Sequence, residues 1–270
     1  MSCLLSGDKI KTLEFSQNMD GHSIRALAFF PEELPETDMN DVAAVNQIKK
    51  DFPEIRQKAK APSFALQYSG TWRTIQKTLG CSPKKAQEIE ENYKKLYPGL
   101  EAFTKKNIEH AQKYGYVNCA FGMKLRTPRL HNTYGRELTP EQETEGRSCS
   151  NAVSQSYGML LNRATIEFRN VIENSEYRYD IRLVNSIHDC IYALVRNDVD
   201  VIKFFNDELI KAMSWQEDPL LKSNEVKLTA EVDFGKSWDK QYTLKNNASK
   251  DDIISFLEEH ELYSTSSKES

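Results

Sequence analysis

No apolar run in this 270-residue sequence approaches the roughly 20 residues that a membrane-spanning helix needs, so no membrane partner is expected. The opening "MSCLLSGDKIKTLEF" has neither the basic n-region nor the long apolar stretch of a signal peptide. Cysteine is sparse: Cys3, Cys81, Cys119, Cys149 and Cys190 are odd in number and no two are close. That pattern argues against a disulfide framework or a zinc knuckle, and the expected compartment is the reducing cytoplasm. No internal repeat is present. Neither sign of charge dominates: 36 Lys and Arg face 40 Asp and Glu, a net charge of −4, so no overall basic excess marks a nucleic-acid binder. The distribution matters more than the sum. Acids gather at 31–41, 139–145 and 251–259, and bases at 49–60, 73–85 and 94–106, which allows one basic face on an acidic protein.

What is present is an ordinary globular composition, 39% hydrophobic and 28% charged, long enough for one large domain or two intimate subdomains. "FFPEELPETDMND" (29–41) reads as a loop, and 41–70 as helix in pieces, broken near Pro53 and perturbed at Pro62. "SPKKAQEIEENYKKLYPG" starts on a serine N-cap with proline at N1, and Leu100–Tyr114 continues as a helix ended by Gly115. "GYVNCAFGMKLRTPRL" has the alternation of a two-stranded ribbon. From Thr139 the pattern predicts one helix of about 30 residues. Strands "IRLVNSI" and "IYALVR", a helix over 198–214 and a last strand "VKLTAEVDFG" follow. "LKNNASK" resembles a linker, "DDIISFLEEHEL" a short acidic helix expected to be solvated, and "YSTSSKES" a frayed tail. Helices first and then a small antiparallel sheet backed by helices make the fold class α+β.

Three constellations carry chemistry. Arg56, Lys60, Phe64 and Tyr68 lie four residues apart, so on a helix they form one stripe. Two cations leading to two aromatics suit a polyphosphate followed by sugar and base. The same spacing also fits an amphipathic helix with solvated cations and a buried aromatic end. Arg147, Asn151 and Gln155 repeat the spacing with polar groups able to read the acceptors of a minor groove, or simply to face solvent. "IHDC" (187–190) sits between two apolar runs and reads as a hairpin tip presenting Asp189. A carboxylate there could hold Mg²⁺, which favours one or two carboxylates plus substrate phosphates. Cys190 and His188 are poorly placed as nucleophile and base, zinc spacing is absent, and an ordinary turn is the plain alternative.

In order and spacing these elements resemble the family A DNA polymerases over about residues 1–242. "RQKAKAPSFALQYSG" is similar to the family's fingers motif, "RSCSNAVSQ" to its primer-template helix, and "IHDC" to the palm motif usually written V-H-D-E. "LSGD" and "DGHS" resemble the segment after the first palm motif, "LTAEVDFGKSW" the last strand, and "APSFALQYSGTWRT" with "AFGMKLRTP" the bacteriophage branch. The resemblance implies that Arg56, Lys60 and His22 bind the incoming triphosphate, Lys60 also donating a proton to pyrophosphate. It places Phe64 under the sugar and Tyr68 under the templating pair, and phenylalanine at 64 implies discrimination against dideoxynucleotides. Arg147, Asn151 and Gln155 would touch primer-template DNA, His188 the primer end, and Asp189 the catalytic Mg²⁺.

Two departures stand out. Cys190 replaces the glutamate of V-H-D-E, and the motif that supplies the first essential aspartate, "DYSQIELR" in its usual form, should end just where this sequence begins. Asp8 and Asp20 belong to later elements and sit on no such strand. Two-metal phosphoryl transfer needs carboxylates clamping both ions, so one aspartate is insufficient. The expectation is therefore a C-terminal polymerase part acting on dNTP and primer-template with an N-terminal polymerase chain that carries the missing aspartate. Its divisions would be a palm segment (1–30), fingers (31–135), palm with primer-template helix and catalytic hairpin (136–242), and linker with acidic tail (243–270). The alternative is a non-catalytic DNA- or nucleotide-binding fragment.

Overall fold

The computed structural model describes residues 1–68 and 70–263. They form two compact units, Met1–Tyr157 with Asp218–Val226, and Gly158–Glu217 with the chain from Lys227 onward.

The first unit is helical: α1 (Ser2–Ser6), α2 (Lys9–Ser16), α3 (Gly21–Phe29), α4 (Val42–Asp51), α5 (Pro53–Gln67), α6 (Trp72–Leu79), α7 (Pro83–Leu96), α8 (Pro98–Tyr114) and α9 (Pro140–Ser156). Between α8 and α9, strands β1 (Tyr116–Asn118) and β2 (Lys124–Arg126) pair antiparallel. Helix starts follow the capping chemistry of the sequence. The side chains of Asp8, Asp20, Asp41, Ser82 and Thr139 each accept an amide of the first turn, and Thr139 with Gln142 closes a capping box. Gly115 ends α8 at φ 74°, where a Cβ would also lie 2.9 Å from the His131 ring, so the position needs glycine twice over. α3 packs on α5 and α7 around Ile24, Phe29, Val45, Ile48, Ile75 and Ile89. A smaller cluster of Ala111, Val117, Leu130, Cys149 and Val153 joins α8, the ribbon and α9. α5 runs through Pro62, which is buried and leaves the Lys58 carbonyl without its helical donor.

The second unit contains α10 (Met159–Glu173), β3 (Ile181–Ile187), β4 (Cys190–Val195), α11 (Val199–Met213), β5 (Val232–Phe234), β6 (Tyr242–Leu244) and α12 (Lys250–Glu259). α10 and α11 close on the ribbon through Phe168, Ile172, Ile181, Val201, Phe205 and Leu209.

Several expectations are corrected here. The single helix of about 30 residues is two, interrupted at Tyr157-Gly158, where glycine weakens the helix and the amide of Tyr157 bonds Gln155 instead of continuing the regular ladder. Of the stretch expected to be the last strand only Val232–Phe234 forms one, and its partner is a later strand, Tyr242–Leu244. The strands make three separate two-stranded ribbons among the described residues, not one sheet. The acidic helix is not solvated all round: Ile253, Phe256 and Leu257 of α12 pack with Ile202, Leu244 and Leu262. Its charges point outward, and the i, i+3, i+4 apolar spacing supplies a buried stripe.

Candidate functional site

In the first unit the packing of α3 on α5 brings several of the expected residues together. Asp20 caps α3, accepting the Ser23 amide at 2.9 Å and the Ser23 hydroxyl at 2.6 Å. Its two oxygens also receive Arg56 Nε at 2.6 Å and Nη2 at 2.7 Å, a bidentate pair. Burial opposes ionisation of Asp20, but the hydrogen bonds from Arg56 and Ser23 outweigh it and hold the carboxyl well below the usual carboxylate range. His22 follows, its ring centroid 5.7 Å from that of Phe64 in an edge contact. Burial first, then the charges of Arg25, Arg56 and Lys60, push the His22 imidazole down to about 4. It is therefore neutral at pH 7. Lys60, one turn after Arg56, is half-buried, whereas Phe64 and Tyr68 are 47% and 55% exposed. The aromatic end of α5 is thus not a core face, and a cationic stretch leads to two accessible rings.

Beneath His22 lies a polar cluster that sequence reasoning missed. Lys11 Nζ is 3.0 Å from Glu14 Oε2, and Arg25 Nη1 is 3.4 Å from the same oxygen and 3.2 Å from Tyr97 Oη. Tyr97 in turn donates to Glu14 Oε1, and Lys11 Nζ stands 4.2 Å over the Tyr97 ring. All four are buried. Burial raises the Tyr97 hydroxyl well above its ordinary value and, followed by Arg25, lowers the Lys11 ammonium. Lys11 and Glu14 become interior groups through Arg25, 11 positions from Glu14, and Tyr97, 83 positions from it. Asp8, the other acid near the N-terminus, caps α2 and accepts the Gly99 amide at 2.7 Å.

On α9, Gly146, Cys149, Ser150 and Val153 are buried, leaving Arg147, Asn151 and Gln155 on another face. Arg147 meets Glu143 at 3.6 Å and donates to Thr144 Oγ1 at 3.3 Å. Asn151 is half-buried and Gln155 is exposed.

In the second unit β3 and β4 join through a two-residue loop, His188-Asp189, with Ile187 paired to Cys190. His188 takes φ 55°, a left-handed conformation that a tight hairpin demands and that is uncommon outside glycine. His188, Asp189 and Cys190 are all exposed, with Cys190 Sγ 3.7 Å from Asp189 Oδ1. Burial and then the Asp189 charge push the Cys190 thiol up, away from the thiolate a nucleophile needs. An exposed carboxylate on a two-residue tip suits a cation shared with substrate phosphates. Among the described residues no group of three or more His, Cys, Asp or Glu could hold a metal ion.

A family model described as DNA polymerase family A matches residues 5–240. The chain is similar to DNA polymerase I of Pseudomonas aeruginosa, 26% identical over 191 residues that cover 69% of this chain and 19% of that protein. It is similar to the DNA polymerase of Escherichia phage T5, 28% identical over 61% of this chain and 20% of that protein, and to that of Mycobacterium phage D29, 29% identical over 46% and 18%. A solved structure, the POL domain of Pol1 from M. smegmatis in complex with DNA primer-template and dNTP, shares the fold with a TM-score of 0.63 at 20% identity, over 84% of this chain and 35% of that one. The chain spans about a fifth of the length of these curated relatives.

Proposed function

The chain belongs to DNA polymerase family A, and on that premise we propose that it serves template-directed DNA synthesis, the transfer of a nucleotide from dNTP to a primer 3′-hydroxyl. It contributes the fingers and the second half of the palm to such a polymerase, with the first catalytic aspartate supplied from outside these 270 residues. Residues 1–30 are a palm segment, 31–135 the fingers, 136–242 the palm with primer-template helix and catalytic hairpin, and 243–270 a C-terminal appendage. The site of action is the cytoplasm, that of the host if the protein is phage-encoded; among the described residues no helix is long and apolar enough to cross a membrane.

The observation that carries the proposal is the convergence of His22, Arg56 and Phe64 on one surface of the first unit, within a family match that also spans Asp189. Arg56 and Lys60 supply positive charge to the triphosphate, and Lys60 is the proton donor to departing pyrophosphate. Phe64 packs under the sugar and Tyr68 under the templating pair. Arg147, Asn151 and Gln155 hold primer-template, and His188 orients the primer end. Asp189 would be a ligand of Mg²⁺, which supplies Lewis-acid charge to the reacting phosphate when bound. The residues present here position groups and neutralise charge, the main tasks in phosphoryl transfer. β3 and β4 pair only with each other among the described residues, with Val184 52% and Leu194 65% exposed, which supports a further palm strand supplied by the partner segment.

Primer extension by the chain reconstituted with an N-terminal polymerase segment tests this. Asp189→Ala should lower the rate by several kcal/mol of barrier, on the order of 10³-fold; an unaltered rate removes Asp189 from the mechanism. The second proposal, a non-catalytic DNA- or nucleotide-binding fragment, draws support from the use of Asp8 and Asp20 as helix caps. It predicts primer-template binding with no extension under any complementation.

A further inference from the structure

Resting on the nucleotide-binding role of His22, we propose that Arg25 is a positioning residue for that site. Its buried guanidinium fixes His22 as the neutral Nε2–H tautomer, which offers the triphosphate one directed hydrogen-bond donor.

Arg25 Nη2 stands 3.3 Å from His22 Nδ1. A guanidinium has donors and no acceptor, so at this contact Nδ1 must be the acceptor and the ring proton must sit on Nε2, on the far side from Arg25. The guanidinium has little freedom to turn away. Its other terminal nitrogen donates to Tyr97 Oη at 3.2 Å and lies 3.4 Å from Glu14 Oε2, and Arg25 is only 7% exposed. Tyr97 is held by its own bond to Glu14, and Glu14 by Lys11. Gly21 lets α3 close onto this cluster: a Cβ there would lie 2.4 Å from Glu14 Oε2 and 3.1 Å from Arg25 Nη2. Burial would lower the Arg25 guanidinium, but Tyr97 and Glu14 beside it raise it, so its donors are permanent.

The charged groups facing His22 agree with a neutral ring. Arg25 on its own helix and Arg56 and Lys60 on α5 oppose a second ring proton, and Asp20, the carboxylate that favours one, is committed to Arg56. The division of labour is chemical. Arg56 and Lys60 bring charge, while a neutral imidazole with a fixed N–H brings direction, and the direction is set by Arg25.

The test is a two-bond ¹H–¹⁵N correlation spectrum of the ¹⁵N-labelled full chain at pH 7, with the His22 signals assigned from His22→Gln, alongside dATP titrations of each variant. The expected spectrum shows His22 protonated at Nε2 and unprotonated at Nδ1. In Arg25→Met the Nδ1–H tautomer becomes populated and dATP binds roughly threefold to tenfold more weakly, the effect of one hydrogen bond. Tyr97→Phe keeps the guanidinium but loosens it, and should give a smaller shift in the same direction if Arg25→Met does not fold. An imidazolium or Nδ1–H form in the unaltered chain overturns the inference, as does an unchanged tautomer when Arg25 is replaced or loosened. If His22→Gln binds dATP like the unaltered chain, the nucleotide role of His22 falls. If His22→Gln binds weakly but Arg25→Met does not, the positioning role of Arg25 alone falls.

Discussion

Replacing Asp20 by asparagine isolates the charge of the Asp20–Arg56 pair, because asparagine can still accept the Ser23 amide that caps α3. The structure sets the scale. Two short charge-assisted bonds from Arg56 are weakened together, at side chains that are each 17% exposed. Hydrogen bonds to charged groups contribute about 1.5–3 kcal/mol, and breaking a fully buried ion pair costs about 3–5 kcal/mol. Partial solvent access and the geometry retained by asparagine place the loss near the lower range, about 2 kcal/mol. The pH dependence has a definite sign. The Asp20 carboxyl in the folded protein ionises below its unfolded value of about 3.9, so its contribution is complete above that pH and is lost as pH falls through the folded-state value. Urea unfolding of both proteins at pH 7 and pH 3 is the assay. Asp20→Asn should lose about 2 kcal/mol at pH 7 and measurably less at pH 3, and a double-mutant cycle with Arg56→Gln should return a coupling of about 1–2 kcal/mol. A difference under about 0.5 kcal/mol at pH 7, or one that does not change with pH, refutes the assignment of the pair as a stabilising contact.

Three further outcomes follow from the packing and the charges. Ile253→Ala empties a fully buried position of α12 and should destabilise the second unit by about 2–5 kcal/mol in thermal unfolding; a neutral result would mean that the C-terminal helix is not part of that core. Gly115→Ala forces a Cβ into a left-handed residue against His131 and should cost about 1–2 kcal/mol or more, measured by urea unfolding, whereas alanine at an ordinary helical glycine would stabilise. Arg147→Ala should weaken primer-template binding and reduce the slope of log affinity against log salt by about 1 if the arginine meets a phosphate. A fluorescence-anisotropy salt titration distinguishes that from a base contact, which would leave the slope unaltered.

Much of the local architecture was legible because caps and breakers act within a few residues. Ser82-Pro83, Thr139-Pro140 and Gly115 mark helix ends through bonds that the neighbouring backbone makes whatever lies elsewhere. The His188-Asp189 tip was legible for the same reason, since alternating apolar runs flank a loop of two residues. The length of the helix after Thr139 was not. Its apolar spacing continues across Tyr157-Gly158, and periodicity is insensitive to a break that preserves the phase of the pattern. The strand over "VKLTAEVDFG" was legible but is shorter than expected, its partner β6 was missed because a three-residue ladder leaves almost no periodic signal, and the role of "LKNNASK" depends on what α12 packs against.

The order of the family-like motifs, the capping chemistry, the hairpin that carries Asp189 and the four-residue spacing of Arg56, Lys60 and Phe64 are all written in the amino-acid sequence. Each of these depends on residues close together in the chain or on spacing along one element. What those side chains meet is set by the packing of the folded chain. That packing pairs Arg56 with Asp20 across 36 positions, sets His22 against Phe64, and buries Lys11 and Glu14 with Arg25 and Tyr97. A charged residue becomes an interior group only when a distant partner satisfies it, and that partner is chosen by the packing of helices rather than by the neighbours in sequence.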